Sequence, residues 1–239
     1  MASFRPADYR IRKLIGILGL TLPFMLWVLN DGQLLSSISH YYYLTNPSLC
    51  FIIVLSSLAL FLISYKGYTS DKGELINDNW ITNIAGVAAL AVVIIPTSCD
   101  NSGSSVIDAI CVLSKEDSSR FPLRGHLVEY FNNIHFTAAA IFVFLMGYMS
   151  LFKFTRGKNI RWKRYTYITS GILIWTAIVI LGIYFLSDDE IPNIVFWMET
   201  LAVVSFGIAW LVKGEAVEMV KEMPQKIKDI SRNVIQKFS

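Results

Sequence analysis

The sequence predicts an all-α integral membrane protein: a bundle of six transmembrane helices, both termini cytoplasmic, with a C-terminal amphipathic helix. Three observations predict it. Of the 239 residues 54% are hydrophobic and only 16% charged, against about 25% charged in an ordinary soluble domain. Six long apolar runs occupy 14–29, 49–65, 80–96, 135–152, 165–186 and 194–212, each near the roughly 20 residues that one helical crossing needs. Basic residues alternate between the connecting segments, as the positive-inside rule requires. The composition excludes a soluble globular enzyme, a disordered or collagen-like chain and a disulfide-dense secreted miniprotein.

Helices follow from the solvent, because an unpaired backbone amide in hydrocarbon costs several kcal/mol. The first run follows Arg5, Arg10, Arg12 and Lys13 like the h-region of a signal peptide. It has no small-residue cleavage site before Asn30, Asp31 and Gly32, and is expected to remain as a span. Pro23 is expected to kink that helix and Pro96 to end the third, since proline lacks the amide the helix ladder uses. Gly16, Gly19, Ala85, Ala89, the Ala138 to Ala140 run, Gly207 and Ala209 offer small surfaces for close helix approach. Trp80, Trp162, Tyr165 and Trp210 are expected at the inner membrane boundary, and Tyr41, Tyr42, Tyr43, Tyr130 and Tyr184 at the outer one. The organisation expected is a membrane domain over 1–213 and a cytoplasmic tail over 214–239.

Of the 21 Lys and Arg residues, 18 fall in the N-terminus, the 66–79 and 153–164 segments and the tail from Lys213; Lys115, Arg120 and Arg124 are the rest. This places both ends in the cytoplasm of a multi-pass protein of the cell membrane. It assigns the net charge of +3 to anionic lipid headgroups rather than to nucleic acid. In the tail Val220, Met223, Ile227, Ile230, Val234 and Phe238 recur at helical spacing between lysines. Two readings follow: a helix lying in the headgroup layer, or one pairing through 220–238 with itself or with a partner helix.

All three cysteines fall at or beyond the outer face. Cys99 and Cys111 are the natural disulfide pair, with Cys50 a competitor. No zinc-ribbon spacing exists. Scarce ionisable groups gather at the same face: His40 after Ser39, Asp100, His126, His135, and Glu199 inside the sixth span. A carboxyl within a span faces the bundle interior and has a partner. A compact bundle would bring Ser39, His40, Asp100, His135 and Glu199 around one outward-facing pocket. The reading favoured is a protein binding a lipid headgroup or small polar ligand there. The alternative is a metal-dependent intramembrane lipid hydrolase, with His40, Asp100 and His135 as zinc ligands. A transporter or channel is least favoured, because the inner halves of the runs are apolar. No nucleophile elbow, phosphate loop or dinucleotide fingerprint is present.

The segments "SISHYYYLTNP", "NIAGVAALAVVIIPT", "IHFTAAAIFVFL" and "VFWMETLAVVSFGIAWLVKG" resemble a prokaryotic family of small multi-pass membrane proteins catalogued as a domain of unknown function. The resemblance runs from Ser36 to Gly214. The layout is also similar to the Frag, DRAM and Sfk proteins, six-helix membrane proteins tied to lipid remodelling, autophagy and lipid distribution. A more distant resemblance is to the ceramidase and adiponectin-receptor hydrolases, which combine Ser, Asp and three His around zinc. It implies those roles for Ser39, Asp100 and His135. That superfamily has seven spans and a paired-histidine motif in the last, where this chain has Glu199.

Overall fold

The structure, a computed structural model, describes residues 6–65, 77–99, 101–116, 129–156, 160–187 and 191–215. These residues form α1 (Pro6–Leu29), a 3-10 helix (Ile38–Tyr43), α2 (Thr45–Ser64), α3 (Asp78–Ile94), α4 (Ser105–Glu116), α5 (Glu129–Tyr148), α6 (Arg161–Leu186) and α7 (Ile194–Lys213). A π-helical turn, Met149–Lys153, extends α5. Among the described residues there is no strand. Five helical stretches, in α1, α2, α5 with its π turn, α6 and α7, are long and apolar enough to cross a membrane; α3 is apolar but shorter, at 17 residues. The helices thus fit a multi-pass membrane protein. The 220–238 tail, His126, Asp100, Lys115, Arg120 and Arg124 lie outside the residues whose side chains are described.

Helix ends follow local chemistry. The Asn77 side chain accepts from the Trp80 amide and starts α3, supplying one acceptor for the free donors of a first turn. At the other end α3 stops at Ile94. Ile95 is extended, because the residue before a proline, here Pro96, is pushed out of the helical region. Beyond α1 the chain turns through Asp31 and Gly32, both with positive φ. The Gly32 amide donates to the Trp27 carbonyl at 3.0 Å, closing the helix in the left-handed manner glycine favours.

Leaving aside the short α4, successive helices alternate in direction, so the bundle has two chemically distinct ends. One gathers the starts of α1, α3 and α6 and the finishes of α2, α5 and α7. There the Arg12 guanidinium lies 5.3 Å from the Tyr65 ring centre, and Lys213 lies over the Phe154 and Tyr167 rings. Lys153 Nζ sits 3.5 Å from Asp78 Oδ1. All four charged residues are buried. Rings and a carboxylate thus face charged heads that water does not reach. Trp210 is fully buried in this layer, edge-on to Tyr65 and Phe154 at 5.1 Å. The sequence placed it at a membrane boundary, and this end of the bundle is less apolar than the runs suggested.

The opposite end is built around the 3-10 helix. Tyr41, Tyr42 and Tyr43 are all buried there, which corrects their assignment to an interfacial aromatic belt. Tyr41 donates to the Gln33 carbonyl at 3.0 Å and Tyr43 to the Thr97 carbonyl. Burial pushes the Tyr41 and Tyr42 phenols above their ordinary pKa, so they stay neutral donors. Trp80, Tyr130 and Tyr165 are well exposed. Cys99 is joined to Cys111, with Cα atoms 6.1 Å apart, and Cys50 is a buried free thiol. The bridge ties the end of α3 to α4, a helix where the sequence suggested only a capping loop.

α1 and α7 approach to backbone contact. A Cβ built on Gly207 would lie 2.7 Å from the Leu20 amide nitrogen and 2.8 Å from the Gly16 carbonyl. One built on Gly16 would meet Leu211 N at 2.7 Å. The small-residue surface on α1 and α7 is therefore a backbone contact.

Candidate functional site

Ser36 to Ser39 connect α1 to the 3-10 helix and tie together three other elements. The Ser36 amide donates to the Ser102 carbonyl at 3.0 Å. The Ser36 carbonyl accepts from the Phe196 amide at 2.8 Å, one of the four donors that a helix start leaves without an internal acceptor. Asn193, the α7 cap, makes no side-chain bond of its own, so Ser36 does its work.

Glu199 lies one turn further along α7. Its carboxylate accepts the Ile38 amide at 2.7 Å and the Ser37 hydroxyl at 2.9 and 3.1 Å. The Ser37 oxygen in turn accepts from the Ser39 amide at 3.1 Å, capping the 3-10 helix. The partner expected for this carboxyl is thus a serine and a backbone amide, not a cation or a metal.

His135, on the first turns of α5, is almost fully buried. Its Nδ1 is 2.6 Å from the Ile95 carbonyl and its Nε2 3.0 Å from Ser39 Oγ. A carbonyl only accepts, so Nδ1 carries the proton. In the neutral ring Nε2 is then the lone pair that receives the Ser39 hydroxyl. The Ile95 carbonyl is available because α3 has just ended before Pro96.

These residues bound a cavity of about 380 Å³, within the range of small-molecule sites. Its walls come from α1, α2, α3, α5, α6, α7 and the 3-10 helix. Ser39 and Glu199 are the polar residues in the lining; the rest are apolar or glycine. The exposed members Phe136, Ala140, Gly182 and Phe185 lie on the facing sides of α5 and α6. The cavity therefore opens sideways between those helices. Gly182 lies at this opening, where a Cβ would meet nothing within 4 Å. Ala139 and Ala140, expected to bring helices together, instead leave space.

Of the five residues expected to share a pocket, Ser39 and Glu199 line this cavity, and His135 stands behind Ser39. His40 is buried on the same 3-10 turn, its amide bonded to the Ser37 carbonyl at 3.2 Å, and is not part of the lining. Asp100 falls outside the described residues. The pocket is apolar with two polar residues in its lining, rather than the polar cluster expected. A pocket was expected, but its apolar lining and the parts played by Ser37 and Ile95 were missed; the run of Ser36, Ser37 and Ser39 was their one visible signal. Asp100, one of the three zinc ligands expected under the alternative, is not described, so only His40 and His135 of that set can be placed. Both His135 nitrogens are engaged, and no three His, Cys, Asp or Glu side chains come together among the described residues.

No protein family, no curated protein and no solved structure matches this chain.

Proposed function

We propose that this chain is a six-span protein of the cell membrane, with both termini cytoplasmic, that takes the acyl chain of a membrane lipid into its cavity. The polar head of that lipid meets Ser39 and Glu199. The observation that carries the reading is the cavity itself: apolar walls, a sideways opening between α5 and α6, and two polar residues at the end away from the basic layer. A sideways opening in a membrane-spanning bundle faces hydrocarbon, and an apolar volume takes an acyl chain without desolvating polar groups. The orientation is supported by Arg12, Lys153 and Lys213 sharing one end of the bundle, as positive residues on the cytoplasmic side would. Under this orientation α3 is the sixth span, accommodated by local thinning of the bilayer.

A palmitic acid carrying a mid-chain diazirine is the test. Irradiated with the protein in mild detergent, it is expected to label peptides containing Ala139, Gly182 or Val203. Gly182→Trp places a large ring in open space at the mouth, so it should lower labelling at least about tenfold while leaving the melting temperature unchanged. Labelling confined to the outer surfaces of α1 and α2, or equal labelling in Gly182→Trp, would contradict the reading.

A further inference from the structure

We propose that Ser39 is a nucleophile, with His135 as its general base, for acyl transfer from a lipid ester whose acyl chain lies in the cavity. This rests on the cavity reading above and adds a chemical step to it. Ser39 Oγ and His135 Nε2 stand 3.0 Å apart, within the reach a nucleophile and its base need. The base is held by a third group, as activated nucleophiles require: the Ile95 carbonyl at 2.6 Å from Nδ1 fixes the tautomer that leaves Nε2 free to take a proton. Ser39 also belongs to the cavity lining. A serine that only bridged the 3-10 helix to α5 would explain the hydrogen bond. It would not explain why that residue lies on the wall of an apolar cavity where Glu199 is the other polar group.

The chemistry balances with water as co-reactant. Ser39 Oγ bonds to the ester carbonyl carbon as its proton passes to His135 Nε2. The bond from that carbon to the alkoxy oxygen then breaks, and the departing alcohol takes the proton from Nε2. Water, deprotonated by the same nitrogen, releases the acid and restores the serine. No metal enters the sequence.

The full chain in mild detergent is treated with dodecyl fluorophosphonate, which reacts as the ester would: the oxygen to phosphorus bond forms and fluoride leaves. The expected result is a phosphonyl adduct on Ser39 of the unaltered protein, located by peptide mass spectrometry and unaffected by EDTA. His135→Gln should slow adduct formation about 100-fold or more, the usual worth of a positioned base. The ethyl analogue of the probe should react at least about tenfold more slowly than the dodecyl one. Because the adduct is read on the unaltered chain, a variant that fails to fold does not remove the test. Diazirine labelling inside the cavity without a Ser39 adduct overturns the acyl-transfer step alone. Absence of both overturns the cavity reading with it. An adduct whose rate is unchanged in folded His135→Gln, or that EDTA abolishes, overturns the assigned base and the metal-free step.

Discussion

Glu199→Leu is expected to destabilise the protein by about 3 to 5 kcal/mol. The carboxylate is the acceptor for two groups at once, the Ser37 hydroxyl and the Ile38 amide. Leucine accepts nothing. A buried donor left without an acceptor costs about 1 to 3 kcal/mol, and here two donors lose theirs together. The loss propagates, because Ser37 also caps the 3-10 helix through the Ser39 amide, and that helix roofs the cavity. Glu199→Gln keeps one carbonyl oxygen for the Ile38 amide and should cost only about 1 kcal/mol. Unfolding midpoints in mixed micelles of increasing SDS content would read the difference. A Glu199→Leu protein as stable as the unaltered one would show that the carboxyl does not hold this segment.

Gly207→Val is expected to cost about 3 kcal/mol in the same assay. The added carbons meet backbone on α1, the Leu20 amide nitrogen and the Gly16 carbonyl, and backbone cannot rotate aside as a side chain can. The first and last helices must move apart, losing contacts along their length, which places the change at the severe end of overpacking. Gly19→Ala is the control. Its new carbon would meet ring atoms of Phe206 at 3.0 and 3.1 Å, a side chain with some freedom to shift, so a loss of about 1 kcal/mol or less is expected. Equal effects at the two positions would contradict the backbone contact.

The sequence revealed the elements that long-range solvent physics dictates. The six apolar runs are all helices, α3 stops just before Pro96, and the glycines of the first and last runs are where α1 and α7 touch. A carboxyl inside a span had to have a partner, and Glu199 has one. What packing alone decides was hidden. Tyr41, Tyr42 and Tyr43 look like boundary residues, and only the fold of the α1 to α2 connection turns them inward. Ala139 and Ala140 suit either a close contact or a void. The side on which α6 stands decided for a void. The pairing of Ser39 with His135 spans 96 residues and depends on an Ile95 carbonyl released by a helix end, which no spacing motif records. α4 was read as loop because it lies in a polar stretch between the third and fourth runs, short of the length of a span.

Native mass spectrometry of the protein released from lipid nanodiscs tests whether the cavity between α5 and α6 holds an acyl chain with its head at Ser39 and Glu199. One retained phospholipid or fatty acid per chain is expected, surviving collisional activation that strips annular lipid, and depleted at least about tenfold in Gly182→Trp. A protein released bare, or a lipid retained equally by Gly182→Trp, would contradict it.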